Sequence, residues 1–297
     1  MSFRHVAIIG LGLLGGSIGL AIRQHLPGSA TSGYARDPAP RRRAAERGLA
    51  DRICETAAEA VSEADLVIFC VPPGAMGEAA AEIAGVLPAE ALVSDVGSSK
   101  RMIAKVLSEA LPGHAVIPAH PVAGTENSGP DAGFASLVHN RWCIIPPPEQ
   151  TNLVLLSRLV EFWEALGANV EIMDAEHHDL VLAVTSHLPH LIAYTIVGTA
   201  SDLEQVTRSE VIKYSAGGFR DFTRIAASDP TMWRDVFLNN REAVLEMLGR
   251  FSEDLTALQR NIRYGQGDQL FDLFTRTRAI RRGIIEAGQE TAAVDFG

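Results

Sequence analysis

Residues 6–21 read VAIIGLGLLGGSIGLA, and this stretch decides the fold. A short apolar run suited to a buried strand meets Gly10-x-Gly12-x-x-Gly15, and an apolar helix to about Gln24 opens directly behind it. Each glycine answers a steric demand. Gly10 permits the tight turn, Gly12 lets a pyrophosphate approach the backbone, and Gly15 lets helix and strand pack closely. The new helix offers unpaired N–H groups to an anion. Leu13 and Leu14 open that helix and join the three glycines as candidate dinucleotide contacts. A glycine-rich turn without a ligand uses the same letters; the strand–turn–helix context is what favours the binding site.

Working outward, short apolar runs alternate with helical patterns: HVAIIG (5–10), ATSGYA (30–35), ADLVIFCV (64–71), ALVSDV (91–96), AVIPA (115–119) and WCIIP (142–146). The unbroken run at 64–71 suits a strand buried on both faces of a parallel sheet. The alternation predicts an α/β chain with a Rossmann-type doubly wound sheet. Three prolines at 146–148 mark a turn, after which a helix over 152–166 and a strand over 168–173 complete the series. Beyond Asp174 only helical periodicity is visible, over 175–200, 202–214, 229–264 and 267–287. Ser228 or Asp229, with Pro230 behind it, starts the third of these. The expected division is therefore 1–173 for dinucleotide binding and 174–297 for an all-helical substrate and dimerisation domain. Long amphipathic helices with apolar surface to spare predict a homodimer.

Composition narrows the function classes. The formal net charge of −10 argues against a nucleic-acid binder. Cys54, Cys70 and Cys143 have no CxxC spacing, so neither a disulfide framework nor a zinc site is expected, and Cys70 reads as a small buried hydrophobe. The N-terminus runs straight into a strand pattern without a signal segment, and no apolar stretch is read as long enough to cross a membrane. The expectation is a soluble cytoplasmic protein.

Cofactor choice turns on the end of the second strand. The position where an acid would bind the ribose 2′-hydroxyl of NAD is Ala35, and Arg36 follows, where a guanidinium suits the 2′-phosphate of NADP. Asp37 keeps NAD open; the balance favours NADP. Val71-Pro72, at the end of the 64–71 run, lines the adenosine side or simply turns the chain. Two further strand ends carry polar groups: Ser98, Ser99 and Lys100 after 91–96, and His120 after 115–119. If both strands lie in the parallel sheet, both groups reach its carboxyl edge, where ligands bind. A histidine there suits removal of a hydroxyl proton during dehydrogenation, or it is a structural hydrogen-bonder. In the helical half, His187 and His190 share a face, with Pro189 disrupting the backbone bonding between them. His177, His178 and Asp179 lie upstream, but the spacing matches no metal motif, and no metal is expected. Arg220, Asp221 and Arg224 follow a Gly-rich stretch; an arginine there binds a substrate carboxylate or forms a surface pair.

Taken together, GLGLLGGSIGLA, DVGSSK, HPVAGTENSG, SHLPH and GGFRDFTRIAASDPTMWRD, in this order, resemble the prephenate dehydrogenase (cyclohexadienyl dehydrogenase) family of tyrosine biosynthesis. The resemblance spans nearly the whole chain. It implies oxidative decarboxylation of prephenate to 4-hydroxyphenylpyruvate with NAD or NADP, in a cleft between a Rossmann domain and a helical dimerisation domain. It implies His120 as acceptor of the ring 4-hydroxyl proton, Ser98 on the same hydroxyl, Arg224 on a substrate carboxylate and His190 on the substrate's polar side. Thr125, Glu126, Gly217, Asp221 and Trp233 match family positions that line or gate the pocket. Arogenate, with an amine in place of the ketone, is the alternative substrate, and Glu126 is the residue that would pair with its ammonium. Two rivals remain. A β-hydroxyacid dehydrogenase would carry a lysine on the first inter-domain helix, and none occurs from 174 to 212. A non-catalytic NAD(P) sensor would bind cofactor without turnover.

Overall fold

The computed structural model describes residues 3–207, 213 and 216–286. Nine strands form two sheets among these residues. The first runs β1 (His5–Ile9), β2 (Ala30–Tyr34), β3 (Arg52–Ile53), β4 (Leu66–Phe69), β5 (Leu92–Asp95) and β6 (Ala115–Val116). Its spatial order is β3-β2-β1-β4-β5-β6, with every pair parallel. The chain thus builds outward from β1 in one direction and restarts beside β1 in the other. That reversal places a crevice beyond the carboxyl ends of β1 and β4.

Alternation along β1 explains why the sheet is dry on both faces. Val6 and Ile8 join one buried cluster with Ile18, Ile22 and Trp163, while Ala7 and Ile9 join the other with Val67, Phe69 and Leu107. Burial of each large side chain is worth about 1.5–3 kcal/mol. Gly48, at φ 59°, closes the Pro38–Arg47 helix in the left-handed conformation that glycine tolerates best.

The second sheet corrects the sequence reading. The run 115–119 ladders only over β6, with Ile117 N–H still donating to Val93 O at 2.9 Å. Pro118 has no N–H to continue the ladder. The chain then leaves for β7 (His120–Pro121), which pairs antiparallel with β8 (Trp142–Ile145), itself parallel to β9 (Asn169–Ile172). His120 therefore does not end a strand of the parallel sheet, WCIIP does not extend that sheet, and Pro121 is the paired last residue of β7 rather than the end of the 115–119 run.

The helical half begins with Ala175–Leu182, capped by Asp174, passes through a π-helical turn at Ala183–His187 and continues as Leu188–Thr207. The wide turn precedes Pro189 and lets the helix continue past a residue that cannot donate. The expected separation between the 175–200 and 202–214 helices is absent, because Leu188–Thr207 runs through it; residues 208–212 and 214 lie outside the described residues. The expected single helix over 229–264 is two, Pro230–Asn239 and Arg241–Arg263, interrupted at Asn240; Asp229 is the N-cap, accepting from Met232 N–H at 2.9 Å. Cys70 is half-buried rather than fully enclosed. One further expectation fails: the helical run Ala175–Asp202 is long and apolar enough, at mean hydropathy 1.6, to cross a membrane by length and composition. Its isolated polar residues hide it from a search for uninterrupted apolar runs.

The chain divides into two compact units, Met1–Val244 and Leu245–Gly297. The first holds both sheets and every side chain considered below. The second holds the rest of the Arg241–Arg263 helix and the Gly267–Glu286 helix, joined through Gly265 at φ 63°.

Candidate active site

The glycine turn sits at the reversal point of the parallel sheet. Gly10 has φ +105°, and a Cβ there would lie 2.5 Å from the Cys70 carbonyl oxygen. A Cβ on Gly15 would lie 1.9 Å from the Gly10 oxygen. At Gly12 a Cβ would meet nothing within 4 Å, so this backbone faces open space. The Leu13–His25 helix has no acidic residue in its first turn and no side chain capping its N-terminus. Its first N–H groups and positive dipole end are left uncompensated, which fits a pyrophosphate. Leu13 and Leu14 are half-buried beside the turn, and Val71 packs against Gly10 while Pro72 is exposed. Arg36 and Asp37 both reach solvent, 3.8 Å apart. Arg41, which the sequence does not single out, holds their loop by donating to the carbonyls of Ala35 and Arg36 at 2.9 and 2.7 Å.

The polar centre is buried. Lys100 is fully enclosed and donates from Nζ to Asp95 Oδ2 at 2.5 Å and to the Ala119 carbonyl at 2.7 Å. This ties the backbone just before His120 to the end of β5. His120 is 6% exposed, and its Nδ1 lies 2.9 Å from His178 Nε2. His178 Nδ1 lies in turn 2.9 Å from Asp179 Oδ1. Asp179 also accepts the backbone N–H of Lys100 at 2.7 Å and of Arg101 at 3.0 Å, capping the Arg101–Ala110 helix from another segment. Asn240, at the helix break, donates to the Asp179 carbonyl at 2.7 Å and lies 3.1 Å from His187 Nδ1. His187 Nε2 is buried with no partner among the described residues; the Ser98 backbone lies near enough to favour the ring's protonated form but makes no bond to that nitrogen.

Burial holds these imidazoles neutral. It pushes the pKa of His120 well below its ordinary 6.5, and the charges of His178, Lys100 and His187 add to the effect. Burial also lowers His178, against the opposing pull of Asp179, and brings His187 down to about 4.

His190 stacks on Trp233 with centroids 3.5 Å apart, and its Nδ1 lies 2.9 Å from the Ser186 carbonyl. Trp233 Nε1 is buried with no partner among the described residues. The helix that carries Trp233 is tied to the turn after β4, where Gly74 N–H donates to Asp235 Oδ2 at 3.2 Å. Nearer solvent, Arg224 Nη1 donates to Glu126 Oε2 at 2.7 Å, joining residues 98 apart in sequence. Thr125 accepts from Asn127 N–H at 3.2 Å within the same loop. Asp221 pairs with Arg220 at 3.4 Å on the surface, and Gly217 opens their helix. The structure thus joins His120 to the helical half and Glu126 to Arg224. It leaves Asp221 in the surface pair foreseen as the plainer alternative. His178 and Asp179 are engaged in hydrogen bonds, and among the described residues no group of three or more His, Cys, Asp or Glu is arranged to hold a metal. Sequence reasoning missed the roles of Asp179, Asn240 and Asp235. The one local signal was the His177-His178-Asp179 run at the start of a helix that turns apolar from Leu180 onward.

Two family models match the chain: "prephenate dehydrogenase, nucleotide-binding domain" over residues 18–172 and "prephenate dehydrogenase, dimerization domain" over 174–276. The first match begins after the glycine turn. A cyclohexadienyl dehydrogenase from Zymomonas mobilis is 43% identical over 94% of this chain and 95% of its own. A prephenate dehydrogenase from Bacillus subtilis is 31% identical over 94% and 76%. The prephenate dehydrogenase of Aquifex aeolicus, solved with hydroxyphenyl propionate and NAD+, superposes with a TM-score of 0.89 at 32% identity, over 96% of this chain and 99% of its own. With both halves matched in order and the parallel sheet and helical half in place, the chain belongs to the prephenate dehydrogenase family.

Proposed function

We propose that this protein is an NAD(P)-dependent dehydrogenase that converts prephenate to 4-hydroxyphenylpyruvate and CO2, with arogenate as second substrate. The observation that carries the reading is His120, a buried imidazole held neutral in a chain whose two halves both match this family. A neutral imidazole has one lone pair with which to take the ring hydroxyl proton. The bound nicotinamide supplies a two-electron acceptor for the hydride. As the hydride leaves ring C4, its hydroxyl becomes a carbonyl; the ring carboxylate departs as CO2, its bond electrons complete the aromatic ring, and the oxygen, now a phenolate, takes a proton back to give the product hydroxyl. The rearrangement is downhill, so the protein's task is chiefly to position groups and accept the proton.

The remaining residues take roles around that step. Ser98 shares the hydroxyl with His120. Arg224 holds a substrate carboxylate, and His190 with Trp233 forms the polar wall; the unpartnered Trp233 Nε1–H supports this, because a buried donor is costly unless something accepts from it. Thr125, Glu126, Gly217 and Asp221 belong to the rim. Glu126 is engaged by Arg224; when Arg224 takes a substrate carboxylate instead, Glu126 becomes the partner for the ammonium of arogenate. NADP is the preferred cofactor, because among the described residues the Arg36 side chain has just the distant, exposed Asp37 as ion-pair companion, and it stands after Ala35.

The functional division falls at 173/174, where the two family models also meet. The helix Ala175–Asp202 is only 22% buried over its most apolar window and exposes Val184, Ile196 and Val197. A second copy of the chain covers this surface in a homodimer, and the protein works in the cytoplasm. Reduced-cofactor formation with prephenate and arogenate, each with NAD and NADP, tests the whole reading. Turnover of prephenate is expected, faster with NADP. Cofactor binding without turnover of either compound overturns it in favour of a sensor, and a strong NAD preference removes the role of Arg36.

A further inference from the structure

We propose that Asp179, acting through His178, fixes the tautomer of His120, so that the lone pair on Nε2 is the one offered to the substrate. The proposal rests on His120 being the base; it concerns what makes that base ready. The assignment follows from counting donors. Asp179 faces two backbone N–H groups, of Lys100 and Arg101, and the ring of His178, at 2.7, 3.0 and 2.9 Å. A carboxylate among three such groups acts as acceptor, so His178 Nδ1 carries the hydrogen. Neutral His178 then has its lone pair on Nε2, 2.9 Å from His120 Nδ1. That contact needs a hydrogen on His120 Nδ1, and a neutral His120 is left with its lone pair on Nε2. Without the acceptor, imidazole is free to take the opposite tautomer, with N–H where the base must be. After His120 takes the proton, its Nδ1–H still points along the chain toward Asp179, whose charge stabilises the imidazolium.

The other groups around His120 do not supply this polarity. Lys100 and His187 oppose its charging, Asp95 is occupied by Lys100, and Cys143 is paired through backbone with Pro121. His178 is fully buried and makes both bonds through opposite ring nitrogens, so it has the geometry of an orienting group. His178 and Asp179 are positioning residues. Asp179 also caps the Arg101–Ala110 helix, so His178 is the cleaner site to change.

The test combines nitrogen NMR of histidine-labelled protein with steady-state kinetics on His178→Leu and His178→Gln, using His120→Asn to assign the His120 signals. The wild-type protein is expected to show His120 as the Nδ1–H tautomer. Glutamine can still accept from Nδ1–H through its side-chain oxygen, so His178→Gln should keep that tautomer and lie within roughly tenfold of wild-type kcat. His178→Leu should lose the tautomer preference and about 10²-fold or more in kcat, with substrate KM within about threefold and cofactor affinity retained. Three results overturn the proposal: an Nε2–H tautomer in the wild-type protein, full kcat in His178→Leu, or a glutamine variant no better than leucine. If His178→Leu does not fold, the tautomer and kcat of His178→Gln decide alone. Failure here with an inactive His120→Asn leaves the base reading standing; an active His120→Asn removes that reading itself.

Discussion

The surroundings of His120 and of Arg224 differ in almost every physical respect. His120 is 6% exposed, lies against side chains fixed by several hydrogen bonds, and is kept uncharged by burial. The Arg224 side chain is 59% exposed and its partner Glu126 36%, and their pair bridges a loop and a 3-10 turn in a screened environment. An exposed pair of this kind contributes at most about 1 kcal/mol. Proton transfer needs a dry, immobile acceptor; recognition of a charged substrate needs a cation that can exchange one carboxylate for another. The fold separates the two tasks by depth.

The most direct way to break this contrast is at the deep end. His120→Asn should lower kcat by about 10²-fold or more with little change in KM, measured by steady-state kinetics. A comparable loss in KM alone would make the residue a binder. At the rim, Arg224→Ala should act in the opposite sense, raising KM roughly 10- to 100-fold, as expected for a charged hydrogen bond of about 1.5–3 kcal/mol, with kcat less affected. An unchanged KM removes Arg224 from substrate binding.

Acidification separates the regions through stability. His120, His178, His187 and His190 all have pKa values lowered by burial, so the folded chain keeps them neutral while the unfolded chain protonates them below about 6.5. The unfolded state then binds more protons. Stability is therefore full above that pH and declines as pH falls through it, by about 1–2 kcal/mol at pH 5 for His187 alone. Thermal melts from pH 8 to pH 5 check this; a flat Tm would show that these rings charge freely when folded. The smallest effect is expected of Glu126→Gln. Releasing Arg224 should lower the KM for prephenate by no more than roughly threefold and weaken arogenate by a similar factor. Equal shifts for both substrates would deny Glu126 any part in choosing between them.

Legibility in the sequence follows the same depth. The strand–turn–helix at Gly10–Gly15 is a local pattern, and each glycine is required by neighbours close at hand, so its reading carries straight into the structure. The second sheet is not local. Pro118 signals that a ladder must stop, but no periodicity says that His120 will pair with Ile144. The contact between His120 and His178 joins residues 58 apart, and helical spacing identifies the face of His178 without saying what that face meets. Asn240 looks like one more polar residue in a long amphipathic helix. Only in the fold does its side chain account for the break, by reaching Asp179 and His187. The Arg224–Glu126 pair is not legible either, because exposed charges 98 residues apart have many possible partners.

The π-helical turn at Ala183–His187 has a consequence for the chain's tolerance of insertions and deletions. At about 100° per residue, nine residues of regular α-helix would put His178 and His187 on opposite sides of the axis. The turn closes on the fifth residue, Leu188 N–H bonding the Ala183 carbonyl, and so takes up one residue of phase. Both histidines are thereby buried beside Asp179 and Asn240. Removing one residue from this turn would leave a smoother helix by every local measure. Because the turn already takes up that residue, the shortened helix would keep His187 and His190 at the same phase; straightening the turn at its present length is what would rotate them by roughly 100° away from the pocket. The irregularity is the phase-setting element of the helix: it absorbs one residue here, whereas a deletion elsewhere between His178 and His187 that left the wide turn in place would swing the second histidine off the pocket.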